Sequence, residues 1–266
     1  GYRVLVDGEE LIEQWSGHPF RQKEGYKEFK GGRTYRIAYE HFDGGSEQET
    51  MFRYADYLND PAFIEAVRTA DAVVVCVGYD WYLESESWDR PFALPEGHLR
   101  CLETILEHTD KAVVVINSGG GVEMAPWIDR TGGVLMAWYQ GQQGGDAIAE
   151  LLTGKISPSG KLPFTLEKRW EDNPVYDNYY PNTDQVKEDN PYKRVKYNEG
   201  VFVGYRGYER NGVEPLFPFG FGLSYTTFDY SGLKAEAAGD GEFIVSFDVT
   251  NTGRYDAAEV AQLYVG

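Results

Sequence analysis

Apolar and polar positions alternate with period two at both ends of the chain, and change to helical and continuous apolar spacing in the middle. Residues 1–57 hold "YRVLVDG" and "RTYRIAYEHF", interrupted by "DGEE" and "KGGR". Period-two runs broken by Gly and Asp predict antiparallel strands. From Asp60 the spacing changes: an N-cap Asp followed by Pro61 at the first helical position starts a helix over "DPAFIEAVRTA". The apolar run "AVVVCVG" predicts a strand covered on both faces. "LPEGHLRCLETILEHT" predicts a helix with Leu99, Leu102, Ile105 and Leu106 on one face. "KAVVVINS" reads as a second strand, "VEMAPWIDR" as a short helix, "GVLMAWY" as a third strand and "GGDAIAELLTG" as a further helix. This alternation predicts helices layered on a mostly parallel sheet over residues 58–165. Residues 166–227 read as a wrapping linker and junction, because 166–200 are polar, aromatic and too long for an ordinary connection. From Phe228 the period-two alternation returns, predicting the opening strands of a β-sandwich over 228–266. Two or three strands cannot close such a sandwich, so the chain is expected to be part of a longer one.

Charge and composition narrow the function classes. With 43 acidic and 25 basic residues the net charge is −18, which opposes sequence-independent nucleic-acid binding and attraction to an anionic membrane. No stretch approaches the ~18 apolar residues of a membrane span, and nothing reads as a signal peptide. Cys76 and Cys101 do not make a disulfide framework and are expected to be small buried hydrophobes. His18, His41, His98 and His108 show no H-x-x-x-H spacing, so no metal site and no cofactor are expected.

Chemistry concentrates in the loop after the first apolar strand, "YDWYLESESWDRPFALP". It holds Asp80, Glu84, Glu86, Asp89 and Arg90 among Trp81, Tyr82 and Trp88. In open α/β sheets ligands bind outside the carboxyl ends of strands, where this loop lies. Carboxylates beside aromatic rings suit sugars: rings stack on C–H faces, carboxylates accept hydroxyl protons, and desolvation prepares a carboxylic acid for general-acid work. The alternative is a merely solvated acidic loop. "NSGGGVEM" is either a phosphate-cradling turn or a tight strand-to-helix turn, and it lacks the full G-x-G-x-x-G spacing. "SPSGKLP" reads as scaffold with Lys161 as a surface charge, and "PLFPFGFGLSYTTF" as a packed connector.

Together these segments resemble glycoside hydrolase family 3, the β-glucosidase-like exo-hydrolases. "ESESWDRPFALP" is similar to the family's E-x-E-G-x-D-R…LP loop, and "VVVINSGGGVEMAPW" to its N-x-G-x-P-V-x-M-x-W strand and turn. "AWYQGQQGGDAIAELLTGKISPSGKLPFT", "GVFVGYRGYERNGVEPLFPFGFGLSYTTF" and "VTNTGRYDAAEVAQLYV" follow in the family's order, the last resembling the start of a fibronectin type III-like domain. Residues 1–57 resemble the end of a protective-antigen-type β-sandwich insert. The resemblance implies an α/β fold: a partial α/β sandwich, mostly parallel with flavodoxin-like layers, flanked by partial β-sandwich modules. It also implies a preceding TIM barrel carrying the nucleophilic Asp, commonly in an S-D-W context that this sequence lacks. By position the acid/base maps to Glu86, with Glu84 as runner-up, because Ser87 stands where Gly is usual and Trp88 precedes the Asp. Gln143 stands where Glu is common.

The resemblance therefore implies a retaining exo-β-glycosidase working by double displacement, with Glu86 as acid/base and no hydrolysis by this chain alone. Asp89 and Arg90 are expected to brace the loop by ion pairing. Trp81, Tyr82 and Trp88 are expected to line the leaving-group side, and Trp15 and Phe20 to pack in a core. The expected partners are an oligosaccharide or β-glucoside substrate and the barrel of the same protein, with neither nucleic acid nor membrane and with homo-oligomerisation left open. A β-xylosidase, a non-catalytic carbohydrate-binding assembly and a nucleotide-binding α/β protein are the competing readings. The compartment stays open between cytoplasm, periplasm and secretion.

Overall fold

The computed structural model describes residues 2–14, 25, 27–41, 57–81, 83–86, 90–179 and 196–265. Two compact units emerge, Gly1–Gly120 with Trp127–Trp138 and Gly121–Pro126 with Tyr139–Gly266.

In the first unit, strands β1 (Tyr2–Val6), β2 (Glu9–Gln14) and β3 (Ile37–His41) form an antiparallel sheet in the order β2-β1-β3. Val4 and Val6 of the central strand are buried, and Arg3 pairs with its cross-strand neighbour Glu40 at 2.6 Å. The Asp7 carboxylate accepts the Arg36 N–H at 2.8 Å and meets Arg33 at 2.8 Å. These bonds, the backbone one foremost, hold its pKa below the usual carboxylate value.

Helix α1 (Pro61–Thr69) begins as the sequence predicts, with the Asp60 side chain accepting the Ala62 N–H at 2.9 Å. Strands β4 (Val73–Gly78), β5 (Ala112–Asn117) and β6 (Gly133–Met136) form a parallel sheet in the order β4-β5-β6. Helix α2 (Glu96–Leu106) buries Leu102, Ile105 and Leu106, while Leu99 is half-buried. Strand β5 is central: Ala112, Val114, Val115 and Ile116 are all sealed from solvent, as a run covered on both faces should be.

Strand β4 departs from that expectation. Val75 and Val77 are buried, but Val74 is 49% exposed and Cys76 is exposed. An edge strand has a neighbour on one side, and here one of its faces carries no covering layer among the described residues. Cys76 is thus not the buried hydrophobe its apolar neighbours implied. Cys101 is half-buried, and desolvation pushes its thiol pKa up.

The short helix expected over "VEMAPWIDR" is reduced to a 3₁₀ turn at Ile128–Arg130. Pro126 lacks an N–H and biases Ala125 away from helical angles, so no longer run can form.

The second unit contains α3 (Gly144–Leu152), α4 (Tyr176–Tyr179) and α5 (Tyr205–Asn211), followed by the two-stranded ribbon β7 (Phe228–Gly239) and β8 (Glu242–Asn251). Its polar core centres on Glu167, which accepts bonds from the Tyr208 hydroxyl at 3.1 Å and the Asn173 amide at 3.2 Å. Both Glu167 and Tyr208 are buried. In the connector "PLFPFGFGLSYTTF" Phe217 bridges Leu166 and its ring stacks on Phe221 at 4.4 Å, while Leu223 is 74% exposed. Lys161, expected as a surface charge, is instead largely covered. It donates to the Gly222 carbonyl at 2.7 Å and pairs with Glu259 at 3.3 Å.

Candidate functional site

Strand β4 ends at Gly78, where the chain passes so close to β5 that a Cβ would stand 2.0 Å from the Asn117 carbonyl oxygen. Only glycine permits this approach, which also lets Tyr79 donate its N–H to Asn117 O at 3.1 Å. The loop therefore leaves the sheet pinned to the carboxyl end of β5. Tyr79 turns inward, 6% exposed, and its hydroxyl donates to the Ala93 carbonyl at 2.9 Å. One buried ring thus ties the start of the acidic loop to its end.

Between those points the chain makes a tight turn. The Asp80 side chain accepts the Leu83 N–H at 3.1 Å and its carbonyl accepts the Glu84 N–H at 2.9 Å. The two candidate acids then face different surroundings. Glu84 is part-buried: one carboxylate oxygen lies 3.2 Å from Arg90 Nε and the other accepts the Gly119 N–H at 3.2 Å. Glu86, two residues on, is exposed and has no hydrogen bond or ion pair among the described residues.

The carboxylate that Arg90 meets is that of Glu84. Its guanidinium also lies over the Tyr79 ring, 4.5 Å from the centroid. Trp81 is 75% exposed, open on the loop surface. Tyr82, Trp88 and Asp89, like Trp15 and Phe20, lie outside the described residues.

The glycine turn after β5 does not begin a helix; residues 121–124 are irregular. Its Ser118 hydroxyl donates to the Gly120 carbonyl at 2.9 Å, and the Gly119 N–H is given to Glu84. A helix N-terminus that would hold phosphate is absent here, which removes the basis of the nucleotide reading. Tyr79 and Gly119 are the functional neighbours that residue type alone did not single out. The available signal was an aromatic residue directly after a buried strand, with a glycine run after the adjacent strand. Gln143 stands immediately before α3 and makes no side-chain cap bond.

Depressions elsewhere do not involve the acidic loop. One of about 440 Å³ is lined by Leu106–Asp110 and Arg130, and one of about 310 Å³ by Thr165, Tyr208 and their neighbours. Among the described residues no group of three or more His, Cys, Asp or Glu could hold a metal ion. No helix among them is long and apolar enough to cross a membrane.

Comparison with known proteins places this geometry. The family described as Glycosyl hydrolase family 3 C-terminal domain matches residues 15–205. Thermostable beta-glucosidase B of Acetivibrio thermocellus is 42% identical over 205 residues, covering 76% of this chain and 26% of that protein. The crystal structure of a GH3 beta-glucosidase from Bifidobacterium adolescentis aligns with TM-score 0.67 and 35% identity, over 76% of this chain and 29% of that one. A beta-glucosidase from Kluyveromyces marxianus in complex with glucose aligns with TM-score 0.68 and 27% identity, over 95% of this chain and 30% of that one. The chain thus spans between a quarter and a third of the length of these relatives. On the order of its motifs, the parallel sheet that carries them and the match over 15–205, this chain belongs to glycoside hydrolase family 3.

Proposed function

We propose that this chain supplies the acid/base of a retaining exo-β-glycosidase acting on β-glucosides, with Glu86 in that role. The observation that carries the reading is the contrast within one loop: Glu84 has both oxygens engaged, whereas Glu86 is exposed with no hydrogen bond or ion pair among the described residues, outside the carboxyl end of a parallel strand. The names of the relatives described above, each a beta-glucosidase, support the substrate class.

In the first step Glu86, protonated, gives its proton to the glycosidic oxygen as the bond to the anomeric carbon breaks. A carboxylate nucleophile attacks that carbon from the opposite face and forms a glycosyl ester. In the second step the Glu86 carboxylate takes a proton from water, whose oxygen displaces the ester, freeing the sugar and restoring both carboxyls. Retention places the two carboxyl groups ~5–5.5 Å apart. The nucleophile is the Asp expected on a barrel domain of the complete protein, and the exposed position of Glu86 leaves it accessible to such a partner.

The test is Glu86→Gln in the complete protein. Turnover of an unactivated β-glucoside should fall on the order of 10²–10⁴-fold, the usual contribution of general acid–base catalysis. A dinitrophenyl glucoside, whose leaving group needs no proton, should be cleaved to its glycosyl-enzyme at near-normal rate. Azide should then restore turnover with formation of a β-glucosyl azide. Unchanged turnover of the unactivated substrate would sink the assignment.

A further inference from the structure

We infer that Glu84 and Arg90 are a positioning pair: together they clamp the acidic loop to the glycine turn after β5, and so set where Glu86 stands. The inference rests on the acid/base reading above and adds roles for residues that the reading leaves without one.

Three contacts define the clamp. Glu84 joins two chain segments with one carboxylate, one oxygen toward Arg90 Nε and the other accepting the Gly119 N–H, each at 3.2 Å. Arg90 fills a narrow slot. Its guanidinium lies over the Tyr79 ring, and a Cβ built at Gly120 would stand 3.0 Å from its Nη2. The slot's end is fixed too, since Arg90 donates to the Pro91 carbonyl at 3.2 Å and the Tyr79 hydroxyl holds the returning chain at Ala93. The side chains of Arg90 and Glu84 are 15% and 21% exposed, and a partly buried pair is screened less than one on the open surface.

This arrangement suits Glu84 to holding the loop: the guanidinium and the Gly119 amide each take one of its carboxylate oxygens, and charge-assisted bonds of this kind are the strong ones. Glu86 lies two residues beyond the clamp, so its distance from the sugar depends on a segment that Glu84 and Arg90 hold. The planar, forked guanidinium suits both the ring face and the carboxylate; an ammonium would lack the stacking. Gly120 acts as the gauge of the slot.

The experiment uses Glu84→Ala, Arg90→Lys and Gly120→Ala, with Glu86→Ala as reference, and two independent readouts. Hydrogen exchange of the Gly119 amide in the complete protein, read by mass spectrometry of its peptide, reports the clamp without reference to activity. Glu84→Ala should accelerate it by at least about tenfold, and Glu86→Ala should leave it unchanged. The complete protein reports the function. Glu84→Ala should lower kcat/KM about 10–100-fold, the scale of a displacement of about 1 Å. Both limbs of the pH profile should persist, azide should not rescue, and Arg90→Lys and Gly120→Ala should fall in between. Unchanged Gly119 exchange in Glu84→Ala overturns the clamp. Azide rescue of Glu84→Ala, with loss of the basic limb, overturns the positioning role by making Glu84 the acid/base. Full activity of Glu86→Ala with accelerated Gly119 exchange in Glu84→Ala removes the Glu86 assignment alone, and the clamp then stands without its catalytic purpose. Should Glu84→Ala fail to fold, Arg90→Lys carries the same two readouts.

Discussion

Strand β5 and the β7–β8 ribbon contain equally convincing apolar residues, and the structure treats them in opposite ways. In β5 four residues in six are fully sealed from solvent. In the ribbon Phe243 is 70% exposed, Phe247 38% and Val249 41%. The register sets Phe243, Val245 and Val249 opposite Ala237, Ala235 and Tyr230, with Phe247 beside Tyr230, on one face. An apolar face exists in both places. What differs is cover: β5 lies between β4 and β6 within a layered unit, while among the described residues the ribbon carries no second layer, and two strands alone are marginal. Amphipathic patterning records a demand for burial, and neighbours decide whether it is met.

The contrast can be broken by substitution. Ile116→Ala in β5 should cost about 2–5 kcal/mol in denaturant unfolding of this chain, because the site is fully buried and leaves a cavity. A cost below 1 kcal/mol would mean that the sheet is not the core it resembles. In the ribbon's own unit the counterpart is the Tyr208–Glu167 bond, where Tyr208→Phe should cost about 1–3 kcal/mol by leaving a buried carboxylate one donor short. Burial, and then the Glu167 charge, raise the Tyr208 pKa far above its ordinary 10.0. The unfolded chain loses this proton near pH 10 while the folded chain keeps it, so stability is level below pH 10 and declines above it. Tyr208→Phe should flatten that alkaline decline, and a decline of equal slope would assign it to another group.

Smaller effects sharpen the comparison at the surface. Asp172 has its pKa lowered, chiefly by its bond with Arg169. Its contribution is present above the ordinary value of 3.8 and is lost as pH falls through the depressed one. Because Arg169 is mostly exposed, Asp172→Asn should cost no more than about 1 kcal/mol at neutral pH, measured by urea titration. Phe243→Ser should change the unfolding free energy by less than about 0.5 kcal/mol, as surface positions do. A large loss would show that the ribbon face is covered after all.

Much of the architecture was legible because local chemistry and fold agree. Asp60–Pro61 starts α1, and the spacing of Leu102, Ile105 and Leu106 makes the buried face of α2. The failures share a cause. Cys76, Lys161 and the segment around Pro126 were read from sequence neighbours, whereas their states depend on neighbours in space or on a backbone donor that proline lacks. The acidic loop was found from its composition, but the choice between its two glutamates stayed open. Gly119, which the structure sets against Glu84, lies 35 residues from it and leaves no mark on the loop's own sequence.

By itself, then, the sequence determined most of the strands and helices of residues 58–165, that this part of the chain is a parallel α/β layer, and that carboxylates gather where its first strand ends. These follow from periodicity, capping and turn chemistry, which act over a few residues. Tertiary structure alone decided that Val74 and Cys76 of β4 are exposed, that Lys161 is enclosed, and that Glu84 is held against Arg90 and Gly119. Each of those depends on what lies across a few ångströms of space, because burial and hydrogen bonding are settled by proximity and not by order along the chain.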